Sequence, residues 1–329
     1  MAARATRSYL AGAARGQYAL LENGNAGALG QLTNANPNLK WQADEQYDAG
    51  VNIAFFNNRV TLTADYFYKK TTGLLYPTVP VQPAAPGGTA VTWKNLNGTI
   101  VNKGVELALG VTALDNPRFG LNFNANTTFI RNRVSNLPDA FVIQTGALNG
   151  QGLSDVYSEV IQNGLPINAF YLRQFSGVNA TTGLPEYGDG TARYAGNPNP
   201  TTIAGLSTTF RFMKLSLTAN FNGVFGNTIY NNTFNSAINV SQLTGGRNIA
   251  LAAYQATPKE SLASAVAPST RYLESGNYVK LSNLTLSYAL GDFGKVFKGA
   301  SIYAIGQNLF VITNYQGFDP EVNTNKVFN

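Results

Sequence analysis

The sequence predicts an all-β chain that crosses a membrane as part of an antiparallel β-barrel. Three observations predict it. Four pairs of stretches alternate apolar and polar residues with period two, the mark of a strand with one apolar side. The arms are long enough to cross hydrocarbon at a tilt, which takes about 9–11 residues, whereas soluble strands more often stop at about five or six. Short and long connections alternate along the chain, as they do where small turns face the periplasm and large loops face the exterior.

The first pair runs from Ala43 to Lys70. Ala43, Tyr47, Ala49, Val51, Ile53 and Phe55 share one face, and Gln42, Asp44, Gln46, Asp48 and Asn52 the other. After a turn at Phe56 to Arg59, Val60, Leu62, Ala64, Tyr66 and Tyr68 alternate with mostly polar residues, and only Glu45 and Phe67 break the pattern. In the second pair Val105, Leu107, Leu109, Val111 and Ala113 lead to a turn at Asp115 to Arg118, and Phe119, Leu121, Phe123, Ala125 and Phe129 lead away from it. The third spans Thr202 to Phe212 and Leu215 to Phe225. The fourth, Tyr278 to Leu290 and Ala300 to Ile312, turns within Gly291 to Gly299 and loses its alternation from Ile302 to Ile305. Long polar excursions are expected at 71–98, 135–199 and 227–276. Phe55, Phe56, Tyr66, Tyr68, Phe119, Phe225 and Tyr288, near strand ends, fit aromatic girdles at the membrane interfaces.

Composition agrees. Charged residues are 12% of the chain against a usual ~25%, so the polar face is built from neutral Asn, Thr and Gly. Mean hydropathy is −0.10, and the sequence has no apolar run of about 18 residues that would make a helical span. It holds no cysteine, so there are no disulfides and no thiolate chemistry, and no histidine, which removes His-based triads, His general bases and most zinc sites. The net charge of +6 is dispersed, without the basic cluster of a nucleic-acid-binding face; it fits solubility and contact with outer-membrane lipids. Arg4 and Arg7 followed by Ser8 to Ala14 imitate a signal peptide, but the stretch is short and contains Gly12, so export is expected to depend on a signal upstream.

The motifs NPNLKW (Asn36 to Trp41), FFNNR (Phe55 to Arg59), LTADYFYKKTTGLLY (Leu62 to Tyr76), NKGVEL (Asn102 to Leu107), GLPINAFY (Gly164 to Tyr171), GLPEYGDG (Gly183 to Gly190), GNPNP (Gly196 to Pro200), SGNYVKLSNLTLSY (Ser275 to Tyr288) and QNLFVITNYQGFDPEV (Gln307 to Val322) follow one another over most of the chain. Together they resemble the C-terminal barrel region of SusC/RagA-type TonB-dependent outer-membrane transporters. The resemblance implies about eight strands of a larger, 22-stranded barrel in the outer membrane of a Gram-negative bacterium. It implies TonB-dependent import of large nutrients, glycans or peptides, and a SusD-like surface lipoprotein as a lid. Residues 1–329 then form a partial barrel domain, with the plug, the TonB box and the last strand outside it, and TonB engages the protein through that N-terminal region.

The resemblance implies neither an enzyme nor a cofactor, and no catalytic or metal-ligating residue is assigned. Asp189, with Glu186 nearby, has too few carboxylates for a calcium loop. Asp319 and Glu321, flanking Pro320, read as a turn rather than an acid–base pair. Asn97-Gly98-Thr99 and Asn283-Leu284-Thr285 are chance acceptor triplets in an Asn- and Thr-rich chain. Tyr157, Phe170, Tyr171, Tyr187, Tyr194 and Tyr254 fall in long loops, where exposed rings can stack on sugars or on the lid protein, or pack loop against loop. Two other architectures compete: a self-contained eight-stranded barrel with a structural or adhesive role, and a soluble carbohydrate-binding β-sandwich. The first leaves small Gly, Asn and Thr in a narrow lumen, and the second does not explain the alternating connections.

Overall fold

The structure, a computed structural model, describes residues 17–21, 28–78, 91–137, 142–150, 153, 155–264, 267–293 and 297–321. The tract from Arg4 to Ala14 lies outside them. The strands in chain order are β1 (Gln17–Leu21), β2 (Ala28–Asn34), β3 (Ala43–Phe55), β4 (Val60–Thr78), β5 (Val91–Asp115) and β6 (Phe119–Ser135). The next connection carries β7 (Ile143–Ala147), β8 (Tyr157–Ile161), β9 (Ala169–Arg173), β10 (Gly177–Val178), β11 (Pro185–Glu186) and β12 (Ala192–Gly196). Then follow β13 (Thr202–Phe212), β14 (Leu215–Phe225), the loop strands β15 (Thr228–Tyr230) and β16 (Leu273–Ser275), and finally β17 (Tyr278–Phe293) and β18 (Phe297–Thr313).

Eight strands form one antiparallel meander in the order β3-β4-β5-β6-β13-β14-β17-β18. The hairpin β1-β2 joins it where Thr33 and Asn34 run parallel to Val91 and Thr92, which makes the sheet ten-stranded. Among the described residues β3 pairs only with β4 and β18 only with β17. The sheet is therefore open, unlike the self-contained eight-stranded barrel.

Register converts the alternation of single strands into two continuous faces. Ile53, Leu62, Leu109, Ala125, Leu206 and Phe221 form one row across six strands. Phe119, Phe212, Leu215, Tyr288 and Ile302 form another at the end with the short turns. This apolar face, called outward here, is uncovered: Tyr47 is 65% exposed and Val51 55%, and Phe129, Phe210, Leu286 and Ile302 are exposed beside them. An apolar surface of this extent marks contact with lipid or protein, and among the described residues nothing packs on it as the second layer of a sandwich would.

The opposite, inward face is neutral and polar. Asn124, Ser207, Asn220, Asn283 and Gln307 lie in one row, with Asn122, Thr209, Thr218 and Thr285 in the next. Neighbours bond across it: Asn102 accepts from Asn132 Nδ2 at 2.7 Å, and the Thr209 and Thr218 hydroxyls lie 3.1 Å apart. Phe67, which breaks the alternation, lies on this face because Gly104 faces it. A Cβ at Gly104 would sit 2.7 Å from the Phe67 ring, so the ring covers the glycine backbone.

The short turns fall where expected, the tightest at Met213 and Lys214 between β13 and β14. Two expectations need correction. The excursion at 71–98 is mostly strand: β4 runs 19 residues and β5 25, paired to Thr78 and Thr92. Their extra length reads as polar loop because it rises beyond the apolar band. The alternation does not run unbroken through Ala113, because the register shifts between Thr112 and Leu114 and so places Leu114 opposite outward Leu121. From Ile302 to Ile305 neither face is clean, as expected: Ile302 and Ala304 are outward opposite Tyr288 and Leu286, but Tyr303 and Ile305 place apolar side chains inward. Beyond that stretch lies a bulge, Asn308 and Leu309 against Ser282, with Asn308 at φ 51°.

Face assignment is testable with two adjacent residues. Leu107 lies in the outward row between Ala64 and Thr127, while Glu106 is inward, directly opposite Asp65. Leu107→Arg is expected to cost about 2–4 kcal/mol in the membrane-inserted protein, as for a cation near the bilayer midplane. Glu106→Arg replaces a like-charge cross-strand pair with an attractive one and is expected to cost far less. Denaturant unfolding followed by heat-modifiable gel mobility checks both, and equal penalties would invalidate the faces.

Candidate functional site

The described parts of the loops at the end opposite the short turns are organised around two apolar clusters. Val134, Leu137, Ile143 and Ile161 are buried together, with Tyr76, Leu96, Ile100 and Ile167 packed on them. Val134 pairs with Ile100, so this cluster sits on the inward side of β5 and β6 where they leave the apolar band. Above it β7, β8, β9 and β12 form a small antiparallel sheet in the order β12-β9-β8-β7. The second cluster, Val240, Ala253 and Tyr272 with Tyr230, Phe234 and Ile249, belongs to the connection between β14 and β17. Short helices at Asn232–Ile238 and Leu251–Gln255 build it. Asn231 caps the first, its side chain accepting from Phe234 N at 2.8 Å.

Polar and ionic contacts staple the two connections together. Arg173 bridges to Ser269, Phe175 N donates to Thr270 Oγ1 at 3.0 Å, and Ser261 N donates to the Gly183 carbonyl at 2.8 Å. Arg271 lies at the centre. Its guanidinium pairs with Glu260 at 2.8 Å and lies over the Phe175 ring at 4.9 Å. The Glu260 side chain is only 6% exposed and also accepts from Ser264 Oγ at 2.8 Å. Glu274 extends the network: it accepts from Asn231 Nδ2 at 2.9 Å and from Gln316 N at 2.6 Å. Burial pushes the Tyr272 hydroxyl up to about 12 and raises Tyr230 as well.

The six aromatic candidates divide by environment. Tyr157, Tyr194 and Tyr254 are exposed; Tyr194 lines a cleft of about 920 Å³, and Tyr254 lies 4.4 Å beneath the Lys259 ammonium. Tyr171 is half-buried and pairs with Tyr194 across β9 and β12. Tyr187 is half-buried, with the Arg173 guanidinium 4.4 Å over its ring and Phe175 against its edge. Phe170 is 3% exposed and packs toward Tyr230 at 6.4 Å, so its ring supports the platform from within. The structure thus brings Tyr171 and Tyr194 together and leaves Tyr254 apart on the second connection. The ionic staple of Arg271, Glu260 and Glu274 was not singled out from the sequence; its only trace there is the presence of carboxylates inside loops of a charge-poor chain.

The carboxylates set aside from the sequence serve turns and ties. Asp189 accepts from Thr191 N at 3.0 Å and pairs with Arg193 at 2.5 Å. Asp319 accepts from Glu321 N at 2.8 Å, and Glu321 receives Lys280 Nζ at 2.6 Å and Tyr278 Oη at 3.1 Å. Among the described residues no group of three or more acidic side chains is placed to hold a metal ion.

An open meander with an uncovered apolar face and a polar inner face, bearing ordered loops at one end, is the geometry of a segment of a large outer-membrane barrel. Residues 2–309 match the family described as TonB dependent receptor-like, beta-barrel. The chain belongs to this family. Family members are receptors of the Gram-negative outer membrane, which is where this chain resides, and they are not enzymes. TonB-dependent receptor P3 of Formosa agariphila is 28% identical over 322 residues, covering 88% of this chain and 31% of the relative. TonB-dependent receptor SusC of Bacteroides thetaiotaomicron is 25% identical over 312 residues, covering 87% and 30%. The solved structure of the RagAB peptide transporter superposes with a TM-score of 0.76 at 23% identity, over 93% of this chain and 36% of that one. The chain thus spans about a third of the length of the relatives it matches, with the fold of that part.

Two predictions follow from the staple. Arg271→Ala leaves the Glu260 carboxylate buried without its cation, a loss of about 3–5 kcal/mol for such a pair; limited proteolysis in outer-membrane vesicles is expected to cut within 255–270 while the strands stay intact. The Tyr272 hydroxyl ionises near 10.0 when solvated and near about 12 when buried. Its contribution is therefore complete below pH 10 and lost as pH rises toward 12, which loop amide exchange at alkaline pH will register.

Proposed function

We propose that this chain is part of the barrel wall and loop platform of a TonB-dependent importer for large nutrients, glycans or peptides. Its supports are the resemblance to SusC and to the RagAB peptide transporter and, in the structure, a stapled loop platform standing over a neutral polar inner face. Large hydrated cargo favours such a face. Neutral Asn, Thr and Ser exchange hydrogen bonds with a passing solute without holding it by charge. In this reading the long connections face the exterior and meet a SusD-like surface lipoprotein, and TonB acts through the N-terminal region of the whole receptor. Tyr157, Tyr171, Tyr187, Tyr194 and Tyr254 are proposed to contact cargo or lid, with Phe170 holding the platform beneath them. Whether the cargo is a glycan or a peptide is decided by the whole receptor and its partner.

Orientation is checked with single cysteines in a chain that has none of its own. Gly245, with open space around it, and Arg118, in a short turn, are the informative positions. Gly245→Cys is expected to react with an impermeant maleimide on intact cells, and Arg118→Cys only after the outer membrane is opened. Import is checked by deleting the gene and growing the strain on panels of oligosaccharides and peptides. One cargo class is expected to be lost, restored by the receptor, and lost again without TonB. Unchanged growth on every cargo, with no lipoprotein co-purifying, would overturn the reading.

A further inference from the structure

We propose that the outward face carries a site for the phosphate of a membrane lipid, a phosphorylated glycolipid of the outer leaflet, held by Lys103, Arg131 and Arg133. The apolar band has a definite height. On β6 the outward positions run from Phe119 to Phe129. Ten steps of about 3.4 Å, tilted by 35–45°, rise roughly 25 Å, the height of a barrel's lipid-facing band. The next two outward positions on that strand are Arg131 and Arg133. On β5 the outward position beyond Val105 is Lys103, directly opposite Arg131.

The row at this level reads Tyr47, Tyr68, Lys103, Arg131. The two tyrosine rings lie 6.4 Å apart, and paired aromatics at the end of an apolar band mark the level of the lipid headgroups. Three cations therefore stand where headgroup phosphates lie.

Their neighbours do not compensate them. Like charges directly opposite across two strands are destabilising, and Lys103 and Arg131 are such a pair. Nearby Lys69 and Lys70 show what compensation looks like, being paired with Asp44 at 3.4 Å and Glu45 at 3.7 Å. Lys103, Arg131 and Arg133 have no ion pair among the described residues, and all three are exposed. Glu45, the acid in the row of Arg133, lies three strands away, roughly 14 Å at ordinary strand spacing. With Tyr68, Tyr194 and Pro200 the three cations are among the residues that line the cleft of about 920 Å³, which Asn102, Ile130 and Asn132 at inward positions line as well. A phosphate there receives the planar fork of a guanidinium in two-point contact, while acyl chains continue down the apolar rows below. Polar phosphate above and acyl chain below is the shape of one molecule, a lipid.

This inference rests on the loops-outward orientation for the leaflet it names, but its test involves neither uptake nor orientation. The protein, purified from outer membranes in mild detergent, is placed in zwitterionic nanodiscs doped with lipid A or with enzymatically dephosphorylated lipid A, and bound lipid is counted by native mass spectrometry. The unaltered protein is expected to retain the phosphorylated form at least five-fold better, a contrast that needs no variant. Lys103→Gln, Arg131→Gln and Arg133→Gln together are expected to abolish the preference, whereas Arg118→Gln with Lys214→Gln at the other end leaves it intact. Equal retention of the two lipids, an undiminished preference in the triple variant that keeps its heat-modifiable mobility, or loss of a co-purifying protein in place of lipid would each overturn the proposal.

Discussion

Backbone hydrogen bonding in a medium without water is the constraint on which the rest of this structure depends. An N–H or C=O left unpaired in hydrocarbon costs several kcal/mol, so a sheet can cross only if each strand is bonded along its length on both sides. Within the meander the eight strands meet this requirement along most of the apolar band, the long ladder between β4 and β5 being the fullest case, while the ladder between β14 and β17 shifts register at Phe221 within the band. The bulges at Thr112 to Leu114 and at Ala289 to Phe293 lie near the short turns, whereas the shift beside Ser282 lies midway up the band, level with Phe221 and Ala125. Among the described residues the outer edges of β3 and β18 are unpaired, and in a membrane such edges call for a partner strand.

The two faces follow from that ladder, since alternation is what a bonded strand presents to its two sides. Lipid on one side selects Phe, Leu and Val; water on the other accepts anything polar, and this chain supplies neutral Asn, Thr and Ser. Charges on the inward face are sparse and local, as where Asp65 faces Glu106 or where Arg211 spans 3.5 Å to Asp115 beside the short turn. The ion pairs with least exposed partners lie at the loop end instead. Glu260 with Arg271 and Lys280 with Glu321 tie loop segments to one another or to a strand end, above the hydrocarbon level, where desolvating an ion costs less.

Much of this was legible in the sequence because membrane strands obey one simple period. The third hairpin was readable to the residue, Thr202 to Phe212 and Leu215 to Phe225, since neither strand of that pair shifts register against the other. Where a bulge intervenes the period slips by one, as at Ala113, and from Ile302 to Ile305 the pattern blurs because Tyr303 and Ile305 place apolar side chains on the inward face. The far ends of β4 and β5 were taken for loop because outside the band no solvent contrast forces alternation; Asn95 and Asn97 are as suitable there as Val. The platform was less legible still. That loops would be long was plain, but the meeting of Arg271 with Glu260, or of Phe175 with Tyr187, depends on contacts between connections dozens of residues apart, and no local pattern records it. Phe170 illustrates the limit: an aromatic in a loop is equally at home facing cargo or facing a core.

The end of the apolar band carries a further consequence. A strand bonded on both sides can slide along the membrane normal unless its ends are anchored, and the energy that fixes its height comes from the residues at the two borders. At the short-turn border Phe119, Phe212, Leu215 and Tyr288 form a row of large side chains in which no charge interrupts the outward face. At the loop border the same face changes within one step of the alternation, from Val105 and Phe129 to Lys103 and Arg131. A cation can be drawn into hydrocarbon only at a cost of about 2–4 kcal/mol near the midplane, a cost that falls toward zero at the interface. The border between Phe129 and Arg131 thus acts as a stop against inward displacement of the segment, and the platform above it is held at a fixed height over the membrane, where its rings and its staple are presented to whatever approaches from the loop side.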